Sequence, residues 1–418
     1  MTRFGLQEGL KASPPLSLYI HLPWCIRKCP YCDFNSHERN AAAVSDFAPT
    51  ESRYLDALEI DCDLSAPLVW GRTVESIFIG GGTPSLFSAA SIDRLLGILR
   101  SRFQLRPQCE ITLEANPGTF EAERYEGFAK AGVNRLSIGV QSFSDEALKR
   151  LGRVHSAKQA FDAIQVARRC FESFNIDLMY GLPQQTLAEL SLEMQLVLEQ
   201  DPPHLSYYQL TLEPNTLFAK FPPPLPEEDP LSDMQDQIES LTQAHGFEHY
   251  EVSAYAKPGK RCQHNMNYWQ FGDYLGLGAG AHGKLSFHDR ILRQQKYRKP
   301  EDYMGRLLGP SALGSSAKPT APNILSEFQP SLNHLAVELE RVLQAEDLCF
   351  EYFLNTLRLR QGVPTSMFSE RTGLSVVRLQ SALAEATKRG LMSDDPMRHE
   401  PTALGFQFLN DLQMLFLS

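Results

Sequence analysis

The sequence predicts an α/β protein: a partial (β/α)6 barrel followed by a C-terminal, mainly helical, winged-helix-like domain. Three observations carry this. Six short apolar runs alternate with amphipathic stretches over the first 214 residues. Polar or cysteine residues stand at or just past the carboxyl end of nearly every run. After about residue 346 the pattern becomes helical throughout.

The runs are SLYIHLPW (17–24), SIFIGGG (76–82), EITLEANP (110–117), RLSIGVQS (135–142), FNIDLMYGLP (174–183) and HLSYYQLTLEP (204–214). Most are short, rich in β-branched or aromatic residues and followed by turn formers, as strands buried on both faces are. Helical segments are expected between them at 51–65, 88–103, 156–172 and 186–200. In 88–103, Ile92, Leu95, Leu96 and Leu99 repeat at the 3–4 spacing of a core-facing stripe. Strand–helix alternation implies parallel strands with right-handed crossovers. Cys25–Cys32, Gly80–Gly82, Glu114, Gln141 and Asp177 fall at the ends of different strands. A barrel gathers all such ends at one mouth, whereas an open doubly wound sheet gathers only those at its switch point. The barrel is therefore preferred.

Beyond residue 214, FPPPLPEEDP (221–230) reads as a surface loop, 231–245 as a helix and HYEVSAYA (249–256) as strand-like. LGPSALGSSAKPTAP (308–322) is small, polar and aperiodic, as a linker is. Helices follow at 348–360, 365–371, 374–389 and 402–415, with a polar hairpin-like stretch before the last. The expected division is an N-terminal extension at 1–16, a core at 17–290, a linker or insertion at 291–345 and a helical domain at 346–418.

The 418-residue chain has a formal net charge of −10, which argues against a general nucleic-acid binder. Helix 374–389 carries only Arg378, Lys388 and Arg389 as basic residues, too few to recognise DNA. No apolar run is long enough to span a bilayer, and Pro14–Pro15 interrupts an N-terminus without a secretory signal, so a cytoplasmic location is expected. Of eight cysteines, Cys62, Cys109, Cys170, Cys262 and Cys349 are scattered singly and read as buried small hydrophobes.

The other three lie in HLPWCIRKCPYCDFNSH, where Cys25, Cys29 and Cys32 are spaced C-x3-C-x2-C. Zinc would need a fourth ligand and usually a different spacing, although His21 and His37 are near. A thioredoxin-type pair, Cys29 and Cys32, would leave Cys25 unexplained. A [4Fe–4S] cluster with three thiolates and one open iron uses all three on one loop, and the spacing favours it. In IFIGGGTPS (77–85) the glycines either form a tight turn or let a ligand approach the backbone N–H and C=O groups. Glu114, Gln141, Arg153 and Asp177 are either loop and capping residues or, round one mouth, a site.

The cysteine spacing with Tyr31 before the last thiol, and GGGTP after the next strand, resemble the signatures of the radical S-adenosylmethionine (SAM) superfamily. SLYIHLPWC, CPYCDFNSH, FIGGGTPS, EANPG, GVNRLSIGVQSF, LGRVH, DLMYGLP, YQLTLEPNT and GAGAHGK, in this order, are similar to the group holding oxygen-independent coproporphyrinogen III dehydrogenase and the HemW-type heme chaperones. The resemblance implies a (β/α)6 radical SAM barrel. It also implies that Cys25, Cys29 and Cys32 carry the [4Fe–4S] cluster, whose open iron chelates the amino and carboxylate groups of SAM. Gly81, Gly82 and Thr83 would hold the methionine end, and Glu114 and Asp177 the ribose hydroxyls or amino group. Gln141 and Arg153 would hold the carboxylate and ribose, with Tyr19 and Tyr31 beside the cluster and adenine.

Two features separate the relatives. The dehydrogenase carries a further cysteine two residues after the third ligand, where this chain has Phe34. Heme chaperones carry H-N-x-x-Y-W, matched here by His264-Asn265-Met266-Asn267-Tyr268-Trp269. A histidine can ligate heme iron, and aromatic neighbours such as Tyr268 and Trp269 can pack on a porphyrin face. The resemblance thus implies a heme chaperone that binds heme, the cluster and exchangeable SAM and passes heme to an acceptor protein, soluble or membrane-associated. Radical SAM oxidative decarboxylation of coproporphyrinogen III is the alternative.

Overall fold

The computed structural model describes residues 9–38, 47–118, 122–309 and 335–417. The six apolar runs form strands β1 (Leu16–Leu22), β2 (Thr73–Gly81), β3 (Gln104–Ala115), β4 (Arg135–Gln141), β5 (Ser173–Tyr180) and β6 (His204–Gln209). Neighbours pair in parallel and in chain order from β1 to β6. Without a reversal of strand order there is no switch point, so the arrangement is barrel-type rather than doubly wound.

Helices α1 (Ala48–Ser65), α2 (Ala89–Arg102), α3 (Tyr125–Ala131), α4 (Ala157–Cys170) and α5 (Leu187–Glu199) fill the crossovers. Local chemistry fixes their starts. Ser88 caps α2, and capping boxes Ser156/Gln159 and Thr186/Glu189 open α4 and α5. The apolar residues of each strand, such as Leu18, Ile77, Leu113, Ile138, Ile176 and Leu205, form one core with these helices. The alternate residues face the other way, inside the barrel, and many are polar.

After α6 (Glu228–Ala244), β7 (Glu248–Glu251) and β8 (Ala254–Ala256) extend the sheet antiparallel beyond β6. The segment 261–284 gives helix α7 (Gln263–Trp269), β9 (Asp273–Leu277), which joins the open edge parallel to β1, and the start of β10 (His282–Ser286).

The stretch expected as linker or insertion, 291–345, holds regular elements where it is described. Residues 310–334 lie outside those described, but the flanks are ordered: β11 (Ile291–Lys296), α8 (Pro300–Leu308) and β12 (Val337–Val342). Strands β10, β11 and β12 pair antiparallel in the main sheet. Lys296 and Tyr303 both reach buried Asp61 on α1, at 2.6 and 2.7 Å, so this stretch belongs to the barrel.

The C-terminal domain has α9 (Ala345–Thr356), α10 (Ser366–Thr372), α11 (Gln380–Lys388) and α12 (Leu409–Met414). The helix expected over 374–389 opens as a 3-10 turn, Val376–Leu379, and that over 402–415 is broken at Phe408. Val363–Pro364 and Arg398–His399 pair as a two-residue wing. Leu10, in the expected N-terminal extension, is buried with Phe271, Ile291 and Leu348 in this domain's core.

Candidate functional site

After β1, Trp24–Cys25 pairs in parallel with His37–Glu38, which closes the cysteine loop. Inside the loop the Lys28 N–H donates to Glu38 Oε1 (2.8 Å) and its ammonium to the Phe34 carbonyl (2.9 Å). Asn35 fastens the loop to the β9–β10 and β11–α8 connections, its amide donating to the carbonyls of Ala279 (3.0 Å) and Arg298 (2.9 Å). Gly280, at φ +79°, leaves the gap into which Asn35 fits; a Cβ there would overlap the Asn35 amide.

Each thiol has a polar neighbour. The Thr83 hydroxyl donates to Cys25 Sγ (3.6 Å), Arg153 Nη1 donates to Cys29 Sγ (3.5 Å), and the Ser36 hydroxyl is 3.9 Å from Cys32 Sγ. Burial pushes the Cys25 and Cys32 thiols up, so their ionisation calls for a bound cationic group. Among the described residues no three His, Cys, Asp or Glu side chains are grouped closely enough to hold a single metal ion. Three thiols on one loop, each beside a donor, fit a multi-iron cluster. Phe34 stands 61 % exposed at the cavity rim.

The glycine motif works differently from the expectation of open backbone groups. Gly81, at φ +118°, has the His21 ring where a Cβ would stand, 2.7 Å from Cε1. The N–H groups of Gly81, Gly82 and Thr83 donate to Glu114 Oε2 (3.1 Å), the Leu22 carbonyl (2.8 Å) and the Trp24 carbonyl (2.8 Å). The chain itself therefore satisfies these donors, and the motif locks the cysteine loop onto β2 while its residues line the cavity.

That cavity, about 590 Å³, runs from the cysteine loop down into the barrel. Its walls bring together Cys25, Cys29, Cys32, Tyr31, Gly81, Gly82, Thr83, Glu114, Gln141, Arg153 and Asp177, all expected site residues. Burial, with Asp177 nearby, pushes the Glu114 carboxyl up to about 8, against the Gly81 N–H. Burial also raises Asp177, opposed by its donors Ser137 (2.9 Å) and Asn175 (2.7 Å). Gln141 takes φ +67°, costly for a residue with a Cβ, at a register shift after Gly139. Arg153 Nη2 donates to Asn116 Oδ1 (2.6 Å) and the Gly139 carbonyl (2.8 Å), and Asn116 donates to Thr83 Oγ1 (3.2 Å). One hydrogen-bonded chain thus links Cys29 to Cys25.

Tyr19, His264, Tyr268 and Trp269 do not line the cavity. Tyr19 lies half-buried, its hydroxyl 2.9 Å from His21 Nδ1 and its ring stacked on Phe78. The HNMNYW segment is helix α7, whose N–H groups at Gln263 (2.9 Å) and His264 (3.2 Å) donate to Glu110 Oε1 from β3. The His264 ring stacks on Phe78, centroids 4.8 Å apart, and is only 9 % exposed. Burial and then Arg135 lower its pKa to about 3, so it is neutral, and its Nδ1 has no partner. Tyr268 packs against Tyr274, while Trp269 lies under the Arg358 guanidinium at 4.3 Å, towards the C-terminal domain. Neither shares a ring contact with His264.

Phe78, Asn116, Arg135, His204 and Tyr208 also line the cavity and escaped the sequence reading. For Arg135, His204 and Tyr208 the signal was the period-two spacing of Arg135, Ser137, Gly139 and Gln141, repeated in Asn175 and Asp177 and in His204, Ser206 and Tyr208, inside runs that read as apolar. Asn265, on α7, reaches the same cavity.

Two family models match the chain: Radical SAM superfamily over residues 19–197 and HemN C-terminal domain over 343–408. The chain is 46 % identical over 408 residues to "Heme chaperone HemW" of Escherichia coli (strain K12), covering 97 % of this chain and 99 % of that one. It is 44 % identical over 410 residues to the protein of the same name from Haemophilus influenzae, covering 97 % and 98 %. Among solved structures it is similar to coproporphyrinogen III oxidase (HemN) from Escherichia coli, described there as a radical SAM enzyme. The TM-score is 0.76 and the identity 25 %, over 97 % of this chain and 91 % of that one.

Proposed function

The chain belongs to the HemW heme-chaperone family of the radical SAM superfamily, and from that premise we propose that it binds heme and delivers it to an acceptor protein. The observation that carries the reading is spatial. The cysteine loop and α7, the helix of the HNMNYW motif, both wall one cavity, through Cys25, Cys29, Cys32 and Phe34 at one end and Asn265 within the barrel.

Cys25, Cys29 and Cys32 would hold the [4Fe–4S] cluster, which when bound would supply a site for SAM and an electron for its cleavage. Thr83 and Arg153 donate to the sulfurs of Cys25 and Cys29 and favour their ionised form, and the Ser36 hydroxyl stands beside Cys32 Sγ. Glu114 and Asp177 take the ribose or amino group, and Gln141 and Arg153 the carboxylate and ribose. Glu114, protonated near neutral pH, has a hydrogen to donate as well as lone pairs to accept with. Heme is the cargo and His264 its ligand. Phe78 stacks on one face of that ring, which leaves the in-plane ring nitrogens to ligate, and Nδ1 has no partner within the protein.

Among the described residues no helix is long and apolar enough to cross a membrane. The described cysteines are all free, which suits a reducing, cytoplasmic location. The acceptor, soluble or membrane-associated, meets this chain from outside.

One anaerobic preparation tests the reading. After cluster reconstitution, hemin is expected to give a stoichiometric heme spectrum that His264→Ala abolishes, and the heme should pass to an apo-hemoprotein. Coproporphyrinogen III with SAM and reductant should give no catalytic turnover; protoporphyrinogen formed at a catalytic rate would overturn the chaperone function.

A further inference from the structure

At the base of the cavity, Arg135 is 3 % exposed and carries a charge that it cannot lose. Among the described residues it makes no ion pair; its one side-chain hydrogen bond runs from Nη1 to Thr112 Oγ1 at 3.5 Å, and its Nε has no partner. Glu110 and Asp177 act on it only through space. Glu110 is turned to α7 and Asp177 to Ser137 and Asn175. A buried guanidinium without a paired carboxylate is costly, and its planar fork matches a carboxylate bidentately.

Arg135 nevertheless lines the cavity. It opens β4, six residues from Gln141 at the other end, roughly 20 Å along an extended strand. It thus lies at the end of β4 away from the cysteine loop. Its neighbours at this depth are already satisfied: His204 meets Asn175 Oδ1 (2.7 Å) and the Tyr250 hydroxyl (2.9 Å). Of these lining residues Arg135 has unmet polar capacity, and on α7, which reaches the cavity through Asn265, His264 Nδ1 is also without a partner. Burial and then the charge of Arg135 lower the pKa values of both His204 and His264.

We infer that Arg135 is the counter-charge for a ligand carboxylate at the base of the barrel, in a subsite separate from that of SAM. Resting on the heme-chaperone reading, that carboxylate is a propionate of heme. Occupancy would complete the hydrogen bonding of the guanidinium and bring the macrocycle beside Phe78 and α7.

The test compares hemin with hemin dimethyl ester, whose propionates are capped, on full-length wild type and on Arg135→Gln and Arg135→Lys. Wild type should bind hemin about tenfold to a hundredfold more tightly than the ester. Arg135→Gln should remove that preference, Arg135→Lys should restore part of it, and SAM affinity should stay unchanged. Equal wild-type affinity for acid and ester overturns the inference without any variant, as does an Arg135→Gln protein that keeps the preference. A variant that loses SAM binding but keeps hemin binding overturns it too. If wild type binds neither hemin nor its ester, the heme-chaperone reading itself fails, a result distinct from these.

Discussion

Arg153 points one guanidinium nitrogen at Cys29 Sγ, 3.5 Å away, and the other at the Asn116 carboxamide, 2.6 Å away. A fixed cation beside one sulfur of a buried cluster favours the reduced state, which carries one more negative charge. Arg153→Gln should therefore keep the cluster but lower its midpoint potential by some tens of millivolts. A redox titration followed by electron paramagnetic resonance reads this directly; an unchanged or higher potential would show that the arginine does not act on the cluster.

Glu114 gives a pH signature. Its carboxyl, at about 8 in the fold, sits above its unfolded value of 4.5. Between these values the folded chain holds a proton that the unfolded chain has released, so this group's contribution to stability falls as pH rises from about 4.5 to 8 and is constant above. Glu114→Gln removes the titration. The melting temperature of Glu114→Gln minus that of wild type, both free of ligand, should increase from pH 5 to pH 8. A difference that is flat with pH would sink the assignment.

Gly280 and Gly259 form a matched pair. Both have positive φ, +79° and +75°, but a Cβ at Gly259 meets nothing within 4 Å, whereas at Gly280 it would overlap Asn35. Gly259→Ala should cost only the left-handed backbone penalty, about 1 kcal/mol. Gly280→Ala should in addition displace Asn35, loosen the cysteine loop and cut the iron retained after reconstitution. Equal iron retention in the two variants would refute the role given to Asn35.

The strands were legible because each is a short β-branched run ending in turn residues, and the cysteine loop because three thiols in eight residues have few other uses. The inner face of the barrel was hidden. Arg135, Asn175 and His204 alternate with apolar residues, and the apolar majority of each run makes it look buried on both sides. HNMNYW was visible as a motif, but its place was not, since nothing local reveals that Glu110, more than 150 residues earlier, caps its helix. The segment 291–309 reads as linker or insertion because ILRQQK ends in four consecutive polar residues and a long polar stretch follows. Its partner Asp61 lies 235 residues earlier in the chain.

The same segment carries a stability prediction. Asp61 is fully buried and accepts from Lys296 Nζ (2.6 Å), the Tyr303 hydroxyl (2.7 Å), Ser65 (3.1 Å) and the Gly278 N–H (3.1 Å). The carboxylate therefore joins α1, the β9–β10 turn, β11 and α8 at one point. Lys296→Met keeps the length of the side chain but leaves Asp61 without its only ion-pair partner among the described residues. Breaking one side of a buried pair costs about 3–5 kcal/mol, because the remaining charge is still desolvated. Were 291–309 a true linker, the same change would cost nothing measurable. Urea unfolding separates the two: a midpoint unchanged from wild type would mean that this segment does not hold the barrel edge.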